Sequence, residues 1–230
     1  MKILGLLCYF SIEKSIGNGN LVNHIAKRML LSRILWYIYT VIQYIIHYFA
    51  FIIHTRGTYM KNDKIGMITR TAILLAVVVV VQMVGRILPF NNFVVGPMVN
   101  LCILVAAMTA GIGGGVAIAV LSPFTSLINN HAPLAAALLL YAPVISVANL
   151  LLVIVFYFLY NKNKYAGVIL GSILKFGFLY GSINLFLNIF EFPKFAQRLL
   201  GMFSWPQLVT ALIGGFIAIP VITGLRKAID

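Results

Sequence analysis

Residues 166–190 read AGVILGSILKFGFLYGSINLFLNIF, a run of 25 residues broken by one charge, Lys175. About 20 apolar residues span a bilayer as a helix, so this stretch is long enough to cross, with the lysine near mid-membrane. An ionisable side chain at that depth costs roughly 2.5–3.5 kcal/mol and marks a functional site by default. No carboxylate lies inside any apolar segment of the chain to neutralise it. A bound anionic ligand is one candidate for that role. The alternative is structural: interhelical hydrogen bonding, with the amine capped by carbonyls or snorkelling to one surface.

The remainder of the 230 residues is equally apolar, 62% hydrophobic and 9% charged, with a mean hydropathy of +1.02. Soluble domains carry about 25% charged residues, so the class is an all-α polytopic membrane protein. The net charge of +13 comes from 17 Lys and Arg against 4 Asp and Glu. Those basic residues sit at the ends of apolar runs, where they set orientation and meet lipid headgroups rather than nucleic acid. Cys8 and Cys102 are far apart and support neither a disulfide framework nor a metal site.

From residue 68 onward six apolar segments follow one another: 68–88, 94–110, 115–128, 132–159, 166–190 and 205–225. The second and third are short enough for a re-entrant hairpin or for two crossings. Lys61, Lys64, Arg70, Lys162, Lys164, Arg226 and Lys227 fall on one side, against Arg86, Lys194 and Arg198 on the other. That bias places both ends of the six-helix bundle, residues 60–230, in the cytoplasm. The longer connections, including Asn91, Asn92, Asn130, His131 and the stretch 191–204, then face outward. Residues 1–59 form an N-terminal extension whose apolar run 34–53 is basic on both flanks. It reads either as an additional membrane helix or as sequence upstream of a unit starting at Met60.

Depth along the helices groups three polar side chains. Lys175 lies eleven residues beyond Lys164, Asn149 eleven before Tyr160, and Gln82 twelve after Arg70. At 1.5 Å per residue each sits about 16–18 Å in, so the three are expected in one layer. Gly171, Lys175, Leu179, Ser182 and Phe186 share one face of their helix. The expected substrate site is therefore Lys175 and Asn149, with Asn92, His131 and Gln207 from the outer ends of the bundle. A solvated loop histidine is the plainer reading of His131.

The glycines at 111, 113, 114 and 115 lack the Gly-Lys-Ser/Thr of a phosphate loop and read as a tight turn between short helices. No catalytic constellation, metal site or cofactor site is expected, because paired acids and Ser–His arrangements are missing from the apolar segments. A carrier driven by protons or sodium would place a carboxylate there as well. The energy for uphill transport would thus come from a partner. Ala72 and Ala76, spaced i, i+4, offer a surface on which another helix can approach closely.

With Ala72 and Ala76, the stretch Gly96-Pro97-Met98-Val99-Asn100 and the stretch Gln207-Leu208-Val209-Thr210-Ala211-Leu212-Ile213-Gly214-Gly215, residues 60–230 resemble the substrate-binding S component of an energy-coupling factor (ECF) transporter. The resemblance implies a bacterial cell membrane and a vitamin or related micronutrient held between the last three helices and the outer loops. It further implies docking through Ala72 and Ala76 on a membrane coupling protein, itself seated on two ATP-binding subunits. The extension 1–59 departs from the compact family pattern, and the signatures of riboflavin, thiamine or biotin members are not found. Two other readings remain at this stage: a stand-alone carrier or facilitator, and a membrane assembly protein in which Lys175 is a structural contact.

Overall fold

Asn161-Lys-Asn-Lys164 is the one polar interruption in 58 otherwise helical residues, Ala132–Ile189. Asn163 adopts an extended backbone there, with φ −156° and ψ 100°. Its Oδ1 accepts from the backbone N–H groups of Tyr165 and Ala166 at 3.1 Å each, capping the helix that follows. The chain reverses at this point. Gly171 comes against Leu152 and Gly167 against Phe156 and Leu159, so residues 132–162 (α4) and 164–189 (α5) form an antiparallel hairpin.

In the computed structural model the described residues are 63–85, 91–129, 132–189 and 196–229. The chain divides into compact units 1–55 and 56–230, and every described residue belongs to the second. The expectations for residues 1–59 and for His131 fall outside the described residues. The described elements are all helical: α1 Asp63–Gly85, α2 Asn91–Thr109, α3 Gly111–Thr125 with a 3-10 turn Ser126–Asn129, the α4–α5 hairpin, α6 Ala196–Phe203 and α7 Trp205–Ile229.

Four stretches are long and apolar enough to cross a membrane: 64–85, 92–109, 137–189 and 196–227. The third, at 53 residues, is over twice the length of one crossing and folds back at Asn163. Helix α3 is apolar but has only 15 residues. Helix α2 is the centre of the described bundle, with 56% of its apolar window buried against 17% for α1, whose outer face is not covered by the other described helices.

Two sequence expectations are corrected here. The glycine cluster is not all turn: α2 ends at Thr109, Gly111 alone takes a positive φ (+79°), and α3 begins there. The later glycines are helical and permit close contact. A Cβ on Gly115 would lie 2.6 Å from that of Ala107, and one on Gly114 would lie 2.6 Å from Thr71 Oγ1. The stretch 191–204, read as a loop, contains the short helix α6. Leu199 and Phe203 anchor it in an apolar cluster with Tyr141, Leu179, Ile183 and Phe186. The Tyr141 ring sits 5.0 Å from Phe186 and 4.8 Å from Phe203, and its hydroxyl bonds Ser182 Oγ at 2.8 Å.

Candidate substrate-binding site

Helix α2 packs most extensively against α7. Their crossing has room for almost no side chain: a Cβ on Gly96 would lie 2.9 Å from Thr210 Cβ, and one on Gly214 would meet the Pro97 carbonyl and Asn100 Cβ. The stretches Gly96–Asn100 and Gln207–Gly215, over a hundred residues apart, are thus one contact. Asn100, one turn beyond Gly96, is held by this crossing with its side chain toward α5.

There it meets the mid-membrane lysine. Lys175 Nζ donates to Asn100 Oδ1 at 2.6 Å, with Lys175 only 3% and Asn100 only 2% exposed. An ammonium has three N–H donors. Among the described residues Lys175 uses one, on a neutral acceptor.

Both residues line a cavity of about 150 Å³ built from α1 to α5 and the α6–α7 elbow. The polar groups in its wall are amides and hydroxyls, among them Gln82, Asn92, Asn149, Ser122, Gln207 and Thr210; among the described residues no carboxylate joins them. Lys175 is the one charge, so the cavity is electropositive and complements an anionic or strongly polar molecule.

The individual groups differ in how free they are. Asn149 Nδ2 donates to Ala119 O at 3.3 Å and Ser122 Oγ at 3.5 Å. This fixes the amide and leaves its buried Oδ1 without a protein partner. Gln82 is fully engaged: its Nε2 donates to Ser122 O at 2.9 Å and its Oε1 accepts from Thr125 Oγ1 at 2.8 Å, bracing α1 to α3. Gln207 Nε2 donates to Met202 O at 3.0 Å and so stiffens the elbow that brings Met202, Phe203 and Pro206 to the cavity. Asn92 lines the cavity from the start of α2, beside Phe93, whose ring lies 5.7 Å from that of Trp205.

Of the expected site residues, Lys175, Asn149, Asn92 and Gln207 therefore border one cavity, and Gln82 with them. Ala72 and Ala76 lie elsewhere, on the exposed face of α1. The cavity is not confined to the last three segments, since α1, α2 and α3 supply nearly half of its wall. Asn100 was missed as the partner of Lys175. The signal was available: it is the lone amide in the segment 94–110. Ser122, Thr210 and the elbow residues carried no comparable mark.

Residues 66–226 match the model of a protein family described as "ECF transporter, substrate-specific component". The match takes in every residue that lines the cavity and both alanines of α1. No curated protein and no solved structure matches the chain. The long apolar helices, the cavity bordered by amides and a buried lysine, and this match agree, and the chain belongs to the family of substrate-specific components of ECF transporters, which are membrane-embedded substrate-binding subunits rather than enzymes.

Proposed function

We propose that this subunit captures a vitamin or related micronutrient carrying a carboxylate or phosphate, on the outer side of a bacterial membrane. The acidic group pairs with Lys175, and Asn149, Asn92 and Gln207 hold the polar remainder, with His131 contributing from the outer loop. One observation carries the reading: the Lys175–Asn100 pair, buried at mid-bundle, borders a cavity with no carboxylate among its described lining residues. With one bond made to a described residue, the ammonium keeps two N–H donors for a molecule held in the cavity. The cavity's 150 Å³ is below the roughly 300 Å³ usual for organic ligands. Capture of a vitamin-sized molecule therefore includes a widening of the cavity, for which the α6–α7 elbow is the nearest peripheral element.

In this reading α1, α2, α3, α4, α5 and α7 are six crossings, with residues 1–59 a separate extension. Helix α3 with its 3-10 turn reaches about 30 Å, the hydrocarbon thickness, at about 1.5 and 2.0 Å per residue. Both ends of the unit 60–230 lie in the cytoplasm, where the exposed Ala72 and Ala76 of α1 receive the coupling protein. Two ATP-binding subunits supply the energy. The test is reconstitution with those partners and mass spectrometry of small molecules retained by the gently purified subunit. An acidic micronutrient retained by the native chain and lost from Lys175→Met supports the reading. Retention unchanged by that substitution, or uptake into liposomes without any ATPase, refutes it.

A further inference from the structure

Away from Lys175, a second cavity of about 460 Å³ opens between the start of α5 and the last turns of α7. Phe216, Pro220, Thr223 and Lys227 line it from α7 at helical spacing, with Lys164 and Tyr165 facing them from α5. Gly224 adds depth, because its neighbourhood is open: a Cβ there would meet nothing within 4 Å. The eleven residues from Phe216 to Lys227 rise about 16 Å, close to half the ~30 Å hydrocarbon thickness. The Tyr165 ring lies 6.5 Å from that of Phe216, so Lys164 and Tyr165 flank the Phe216 half of the groove and Lys227 closes its other end; the wall between the two cations is mostly apolar.

The two lysines differ from the arginines of the same end. Arg226 turns inward, with Nε and Nη2 directed at Met108 O at 3.4 and 3.3 Å and its guanidinium 5.2 Å from the Tyr160 ring. Arg70 Nη1 likewise donates to Thr109 O at 2.8 Å. Those two close the C-terminal end of α2. Lys164 and Lys227 make no hydrogen bond or ion pair among the described residues; Lys164 Nζ only lies over the neighbouring Tyr165 ring at 5.7 Å.

We propose that this groove binds an anionic phospholipid from the leaflet at the basic end of the bundle. The phosphate sits between Lys164 and Lys227 beside Thr223, and one acyl chain runs past Pro220 to the Tyr165–Phe216 ring pair. Basic clefts between helices at membrane depth recognise anionic headgroups in this way. The mostly apolar wall argues against a free anion, and the two lysines against an uncharged lipid. The site is independent of which substrate occupies the central cavity.

Native mass spectrometry of the full chain, titrated with phosphatidylglycerol or phosphatidylcholine of identical acyl chains, tests this. The comparison uses the native chain, the pair Lys164→Ala/Lys227→Ala, and Gly224→Trp, which fills the groove from an open position. The native chain is expected to prefer phosphatidylglycerol by at least tenfold. The lysine pair loses about fivefold for each amine removed, and Gly224→Trp loses the bound lipid with heat unfolding unchanged. Equal binding of the two lipids overturns the proposal, as does a preference that survives both variants or displacement by inorganic phosphate. If Gly224→Trp keeps the lipid but prevents assembly with partner subunits, the groove is a protein interface and the proposal fails.

Discussion

The double substitution Lys175→Met with Asn100→Leu should raise the heat stability of the purified subunit while weakening its hold on ligand. Burying the amine at mid-membrane costs about 3 kcal/mol. The single bond to Asn100 Oδ1 returns roughly 1.5–3 kcal/mol, the range for hydrogen bonds to charged groups. The pair is therefore neutral to mildly destabilising, and its apolar replacement also removes the cost of burying the Asn100 amide. A gain of about 1–2 kcal/mol is expected, or roughly 2–8 °C at 2–4 °C per kcal/mol for a chain of this size. Each single variant isolates one half of the pair. Asn100→Leu alone strands the ammonium and should destabilise the fold by about 1.5–3 kcal/mol, a fall in melting temperature of roughly 3–12 °C. Lys175→Met alone strands only a neutral amide and should fall near the native value. Heat unfolding followed by intrinsic fluorescence, in one detergent at one scan rate, gives the four values of the cycle. A double variant less stable than the native chain would mean that Lys175 holds the bundle together, and the functional argument from its burial would collapse.

Three further expectations use the same assay. Gly214→Ala pushes a methyl against the Pro97 carbonyl and Asn100 Cβ; it should cost about 1–3 kcal/mol as an overpacked contact and also weaken ligand binding, since Asn100 moves with α2. Asn163→Ala removes the cap on two N–H groups of α5 and should cost about 1 kcal/mol, with Asn163→Asp close to native. Tyr141→Phe deletes the hydroxyl bonds to Ser182 and Leu179 O, for about 1 kcal/mol, and should leave ligand affinity intact because Tyr141 does not border the central cavity.

The helical class and most element positions were legible because membrane helices declare themselves by length and composition. The polar break at Asn161–Lys164 marked the hairpin for the same reason: a chain cannot leave two lysines and two asparagines in hydrocarbon when a turn removes them. Helix α6 was not legible. It has eight residues and includes Gln197 and Arg198, so neither run length nor hydropathy separates it from a loop. Its helicity depends on burying Leu199 and Phe203 beneath Tyr141, a contact made across more than fifty residues. The glycine cluster misled in the opposite sense. Glycine is ambiguous between turns and close helix packing, and only Gly111 needed the left-handed backbone.

Counting residues from the polar ends located Lys175, Asn149 and Gln82 in depth, because the rise of a helix is fixed. Depth is one coordinate, and a hydrogen bond needs the rotation of each helix as well. That rotation is set where two backbones meet. Glycines at 96 and 214 let α2 and α7 approach until Asn100 faces Lys175, while Asn149 is turned toward α3 and Gln82 is consumed by Ser122 and Thr125. The small residues at the crossing and the polar residues in the cavity are therefore one device. A methyl group added at Gly214, which does not border the cavity, is expected to displace the acceptor that holds the lysine, because packing at the α2–α7 crossing positions the Lys175–Asn100 pair.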